Sequence, residues 1–379
     1  MRERLFGFAL AAALAFSSSA APAQPGPRWS EADTRALLTL IDASGAEGLQ
    51  PGDYNAAAIR TALESGDTGL DAVADKAALT LAHDYFEGRA GPKERSDWHI
   101  PRGRIDYGPW LDAVLRGHSV KASFTGLLPT SPAYRQLKAA LAECGARTAG
   151  CGTIAANLER WRWLPREFGS RYLWVNIPAY RLDLVENGAI VSSHKIIVGK
   201  PGTRTPVFRA SVTGVTVNPW WNVPCSIVDE SIGKLVRERP AEATRRGFVS
   251  SVDAKGKLQV RQKPGPDNAL GQIKLEMPNP YDVYIHDTPS KDLFGKDARA
   301  FSHGCIRTEA PADLARAVLG EGRSWEISTL LVTRVSRTLK MPQPVPVYVV
   351  YLTAEPGGDS RITTHRDIYR QDASLIAPR

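Results

Sequence analysis

The spacing of apolar residues changes once along this chain, and that change constrains its fold more than any other feature. Val73, Ala77, Leu81 and Tyr85 recur every fourth residue, the spacing of one helical face, and the run stops at Gly88. Earlier, Ser30 followed by Asp33 forms a capping pattern ahead of Leu37, Leu38 and Ile41, and Gly45, Gly48 and Pro51-Gly52 break that helix. A third helix is expected over 134–141. Past about residue 170 the pattern alternates instead. Strands are expected at 172–177, 181–185 and 189–197, the last two joined by Asn187-Gly188, a dipeptide that supplies the positive φ angles of a tight hairpin. Further strands are expected at 212–217, 282–285 and 345–352. Helices are expected after Cys305, from Ala310-Pro311 and again over 327–338.

The expected fold class is therefore α+β: a helical N-terminal scaffold followed by a mostly β catalytic domain. The 43% hydrophobic content is enough for substantial cores, and no internal repeat is evident. Boundaries are expected at 24–157 for the scaffold, 158–353 for the β domain and 354–379 for a C-terminal tail. Between strands lies an insert, about 221–263. It is entered through Asn218-Pro-Trp-Trp-Asn-Val-Pro224 and carries a charged helical stretch over 229–246, the form of a lid.

Residues 1–23 read as a secretory signal, with Arg2 and Arg4 ahead of an apolar run over 5–16 and the small-residue pattern Ala21-Pro22-Ala23. That run is shorter than the roughly 20 residues a membrane span needs. The expectation is a periplasmic, or otherwise extracytoplasmic, chain with no membrane span once processed. Loss of Arg2, Glu3 and Arg4 with the leader takes the net charge from +8 to +7. A mildly basic exported protein suits a polyanionic envelope or an acidic glycopeptide. Nucleic acid is a poor candidate, because no motif for it is present. In an oxidising compartment Cys144 and Cys151 are candidates for a disulfide closing the small loop between them.

Cys305 is harder to account for, since exported thiols are usually driven into disulfides. It sits in Ser302-His303-Gly304-Cys305-Ile306-Arg307, nineteen positions after His286 in Tyr284-Ile285-His286-Asp287. A flexible glycine before a cysteine, a cation two residues on and a histidine on a separate strand form the pattern of a sulfur nucleophile with its own base. Asp287 and the carbonyls around Ser302 and His303 are candidates to orient the imidazole. The amides of Gly304 and Cys305 are candidates to face an oxyanion, all the more at a helix start. Arg307 suits a forked contact with a carboxylate. Taken singly, a cysteine beside glycine reads as a small buried residue and a histidine in a strand as packed. His83, His99 and His118 are isolated and read as structural.

The signature at 302–307 resembles that of the YkuD-type L,D-transpeptidases, enzymes that cross-link bacterial peptidoglycan. So do the lid entrance at 218–224, Pro264-Gly-Pro-Asp-Asn-Ala-Leu-Gly271, Ile285-His-Asp-Thr-Pro289 and Leu293-Phe294. The N-terminal half resembles the helical scaffold of the larger Gram-negative members. The resemblance implies Cys305 as nucleophile, His286 as general base and acid, and Arg307, Tyr284 and Trp221 lining the substrate site. It implies peptidoglycan peptide stems as substrate, acylation by carbapenem-type inhibitors, and no cofactor or metal. It further implies links between diaminopimelate residues, with an L-alanine-donor variant and an L,D-carboxypeptidase as alternatives. Two departures stand out. The stretch 144–157 leaves no room for the peptidoglycan-binding module usual in those members, and Cys225 stands where proline is common. The rival readings are a zinc peptidase using His286, His303 and Cys305, and a wall-binding scaffold with an inert cysteine.

Overall fold

In a computed structural model of the 379-residue chain, residues 28–144, 149–358 and 361–376 are described. The secretory signal expected at 1–23 lies outside these residues. The N-terminal part is helical, as its periodicity requires. It comprises α1 (Glu31–Ala43), α2 (Ala56–Ser65), α3 (Leu70–Phe86), a two-residue strand β1 (Trp98–His99), α4 (Tyr107–Leu115), α5 (Val120–Thr125), α6 (Pro132–Glu143) and α7 (Ala149–Arg162). Ser30 caps α1 by accepting from the Asp33 amide at 3.1 Å. A disulfide joins Cys144 to Cys151, with Cα atoms 5.8 Å apart.

The second part is a closed barrel. Its strands are β2 (Arg171–Asn176), β3 (Arg181–Glu186), β4 (Ala189–Gly199) and β5 (Val207–Val217). The lid insert follows, with β6 (Trp221–Asn222), α8 (Cys225–Ile227), α9 (Gly233–Glu238), α10 (Pro240–Arg245), β7 (Phe248–Val252) and β8 (Leu258–Gln262). The chain then returns through β9 (Ile273–Glu276), β10 (Ile285–His286), β11 (Ala300–Ser302), β12 (Ile306–Thr308), α11 (Pro311–Leu319), α12 (Ser324–Thr333) and β13 (Arg337–Val350). The order is β5-β13-β2-β3-β4-β12-β10-β9, and β9 pairs back onto β5, so the ring has no free edge. Apolar side chains fill it: Leu173, Val175, Ile196, Val215, Leu275, Ile285, Ile306 and Val347 are buried.

The structure corrects three local expectations. The helix expected over 327–338 ends at Thr333, because Arg334 takes a left-handed φ of 57° and β13 begins at Arg337. The strand expected over 345–352 begins earlier, at Arg337, and runs through Pro342 and Pro344 to Val350. A register shift against β5 between Lys340 and Val345 leaves this stretch out of the ladder, where prolines deprive it of no bond. The scaffold is also not purely helical, since β1 adds to the end of β5.

The two parts share one apolar core, and buried polar groups cross between them. Arg160 on α7 pairs with Asp372 at 2.6 Å and donates to Thr353. Residues after β13 form a hairpin, β14 (Ala354–Pro356) with β15 (Ile362–Thr364), and a short helix α13 (Ala373–Ile376) packed on α7. No helix among the described residues is long and apolar enough to cross a membrane.

Candidate active site

Register does most of the positioning. β10 lies between β9 and β12, with Ile285 opposite Leu275 and Ile306, and His286 opposite Lys274 and Arg307. Side chains alternate along a strand, so the three apolar residues point into the barrel while Lys274, His286 and Arg307 share the other face. The Ile306 amide donates to the Tyr284 carbonyl at 2.8 Å, which sets Cys305 beside Tyr284 on the His286 face. Tyr284, His286, Cys305 and Arg307 open into a cleft of about 200 Å³ lined also by Leu270 and Ser302, with Trp221, Pro224 and Ile227 contributed by the lid; Lys274 lies just outside it, paired with Glu276 at 3.0 Å.

The loop bearing the cysteine is held on both sides. Gly304 has φ +119°, a region open to glycine and strained for any side chain. Its amide donates to Ser302 Oγ at 3.1 Å, and Ser302 Oγ donates to the Cys305 carbonyl at 2.6 Å. Behind it, Thr205 donates to the Gly304 carbonyl at 2.7 Å, and Tyr369 from the C-terminal tail donates to the Gly199 carbonyl at 2.6 Å. The Gly304 amide is thus spent on Ser302 rather than free for an oxyanion. Cys305 also does not open a helix, because β12 intervenes and α11 begins only at Pro311.

His286 is buried, and its Nδ1 donates to the Asp287 carbonyl at 2.5 Å, leaving Nε2 as the basic nitrogen of the neutral ring. Burial, then the Arg307 guanidinium and the Lys274 ammonium, push its pKa down to about 3, against the opposing pull of the Asp287 and Leu270 carbonyls. Burial likewise raises the Cys305 thiol, partly offset by the Tyr284 backbone, Arg307 and Lys274. Both shifts favour the neutral thiol and the neutral imidazole over an ion pair. Cys305 Sγ lies 3.7 Å from the Asp282 carbonyl. Arg307 is partly buried, its Nε has no hydrogen-bond partner, and burial lowers its pKa.

The sequence candidates divide. Cys305, His286, Arg307, Tyr284, Trp221, Ser302 and His303 meet at one cleft. Asp287 supports it differently from the role expected of its carboxylate: only its main-chain carbonyl orients the imidazole. The carboxylate ion-pairs with Lys291 and accepts from the Gln272 amide at 2.8 Å and the Thr288 amide at 2.6 Å. Gly271 is obligatory there, with φ +60° and no room for a Cβ against Asp287. His303 turns from the imidazole to the lid, 3.1 Å from Glu230. Among the described residues no three His, Cys, Asp or Glu groups are placed to hold a metal. Cys225 is exposed and unbonded. Sequence reasoning missed Lys274, which lies 4.3 Å from the Tyr284 ring, and the brace from Thr205 and Tyr369; alternation along β9 marked Lys274, while nothing local marked the brace.

This is a barrel carried on a helical scaffold and roofed by an insert. Residues 170–347 match the model of the YkuD L,D-transpeptidase catalytic domain, and residues 22–141 match that of the Scaffold domain. The chain is 32% identical over 242 residues to a Haemophilus influenzae protein named for L,D-transpeptidase activity, covering 59% of this chain and 48% of that one. The chain thus spans about half the length of that relative. Among solved structures, a mutant of the Enterococcus faecium L,D-transpeptidase aligns at 14% identity and TM-score 0.26, over 50% of this chain and 52% of that one. An L,D-transpeptidase from Mycobacterium smegmatis aligns at 14% and 0.24, over 48% and 58%. The E. faecium catalytic domain acylated by ertapenem aligns at 16% and 0.24, over 48% and 99%. Similarity that low adds nothing to the fold described above.

Proposed function

We propose that this chain is a periplasmic cysteine transpeptidase that cross-links peptidoglycan stems. The observation that carries the reading is the register of β9, β10 and β12, which brings Cys305 and His286 to one cleft flanked by two cations. A tetrapeptide stem binds with its carboxylates against Arg307 and Lys274. A carboxylate against Arg307 offsets one of the charges that depress His286, while burial remains the main cause of the depression. Cys305 Sγ attacks the carbonyl of the penultimate residue as its proton passes to His286 Nε2. Among the described residues no acceptor engages the Cys305 amide, which serves the oxyanion. The tetrahedral adduct collapses, the C–N bond breaks, and the departing D-alanine amine takes the proton from His286. An acceptor amine on a neighbouring stem then attacks the thioester, gives its proton to the imidazole and frees the thiol. Diaminopimelate is the donor and acceptor we favour, and carbapenems are expected to acylate the same sulfur.

Muropeptide mass analysis after mixing purified protein with defined stems tests this. A cross-linked product with loss of D-alanine is expected, and none from Cys305→Ala. Product from the Cys305→Ala protein at the wild-type rate would refute the mechanism.

A further inference from the structure

Apart from the catalytic cleft, the protein has a cavity of about 460 Å³ between the barrel and the C-terminal tail, lined by Tyr180, Arg204, Ala300, Arg366, Tyr369 and Arg370 among others. Three arginines converge on it. Arg204 stacks on the Tyr369 ring, 5.5 Å from its centroid, and pairs with Asp97 at 3.0 Å. Among the described residues no carboxylate pairs with Arg366 or Arg370. Asp367, the acid on the cavity wall, is spent on the Tyr351 hydroxyl at 2.6 Å and on the Gln371 and Asp372 amides. Three guanidinium groups around an aromatic-walled concavity, two of them without a carboxylate partner among the described residues, suit an anion through forked contacts.

The cavity also shares its wall with the nucleophile loop. Thr205, next to Arg204, donates to Gly304, and Tyr369 binds both the Thr205 amide and the Gly199 carbonyl. Ala300 lines the cavity at one end of β11, and Ser302 lines the catalytic cleft at the other. We infer that the cavity framed by Arg204, Arg366 and Arg370 is a second binding site, for a carboxylate of a peptidoglycan stem. The inference rests on the proposed function, because it takes the wall polymer as the ligand. One polymer would then be held at two points, with one stem in the cleft and a neighbouring stem behind the loop. That supplies wall attachment to a chain with no room for a binding module over 144–157.

The test pelleting assay uses the full chain carrying Cys305→Ala, so that stems are not consumed, with purified sacculi. In that background Arg366→Ala/Arg370→Ala is expected to bind about tenfold more weakly or worse, given the usual worth of charge-assisted contacts. Asp97→Ala, which frees Arg204 and also releases Gln371, should bind more tightly, with protein that pellets without sacculi subtracted so that aggregation does not count as binding. Sacculi with amidated carboxyls should abolish both differences. Equal binding by all three proteins would overturn the site. Competition by a polyphosphate where the soluble tetrapeptide stem does not compete would overturn the carboxylate assignment. Acylation of unmutated protein by the stem is followed separately by mass. Failure there with the binding differences intact would sink the transpeptidase reading and leave the site standing.

Discussion

The barrel and the lid insert are neighbours in sequence but are held together in different ways. The barrel is a closed ring whose core continues into the scaffold, and its catalytic loop is pinned from behind by Thr205 and Tyr369. The lid has a small core of its own, Val223, Val228, Leu235, Ala243, Phe248 and Val260, and a separate three-stranded sheet. It is tied at its root, where Gln262 donates to the Asp267 carbonyl at 2.8 Å and accepts from the Ala269 amide at 2.9 Å and Asn268 donates to the Lys263 carbonyl at 2.9 Å, and over the cleft by the Glu230–His303 pair. The difference teaches a division of labour. Under the proposed function, the reacting groups sit where backbone register fixes them, and the surface facing substrate sits on a unit with its own core and sheet.

If that division is right, substitutions in the barrel should cost far more than those in the lid. His286→Gln should slow acylation by about 10²–10⁴-fold, the usual worth of a positioned base. A stopped-flow acylation rate within twofold of wild type would remove His286 from the chemistry. Gly304→Ala forces a side chain onto φ +119° and should cost about 1–3 kcal/mol of stability or a displaced thiol, read by thermal melts and thiol labelling. Tyr369→Phe removes one hydroxyl that serves two backbone groups and should cost about 1 kcal/mol, with faster hydrogen exchange at 199–205. Glu230→Gln breaks a partly exposed pair worth about 0–1 kcal/mol, so melting should barely change while exchange across 229–246 increases and KM rises a few-fold. A Glu230 effect as large as that of His286 would erase the distinction.

The pH dependence sharpens the same point. His286 is depressed to about 3 in the folded chain, so between there and the ordinary imidazole value near 6.5 the unfolded chain binds the extra proton. This residue therefore makes stability fall as pH drops through that window. His286→Gln should flatten the slope of melting temperature against pH there. An unchanged slope in the His286 variant would mean that the imidazole is solvated.

Much of this was legible in the sequence because it is local. Asn187-Gly188 marked the β3–β4 hairpin, the four-residue spacing marked α3, and the two short motifs containing His286 and Cys305 marked the cleft. What was not legible is non-local. Closure of the ring depends on β9 finding β5 across the lid insert, and the support of Gly304 depends on Tyr369, far along the chain. The early start of β13, ahead of the expected residue 345, depends on a register shift against β5 that lets Pro342 and Pro344 lie within the strand. The Gly304 amide looked free because its bond is made to a side chain, Ser302 Oγ, which backbone periodicity does not report.

The most direct test of the central claim is intact-mass and peptide-level spectrometry on the unmutated protein, acid-quenched after mixing with a tetrapeptide stem. The account predicts an adduct equal to the stem less D-alanine, confined to the peptide containing Cys305 and absent from His286→Gln on the same timescale. An adduct on Cys225, or turnover with no covalent intermediate on Cys305, would contradict it.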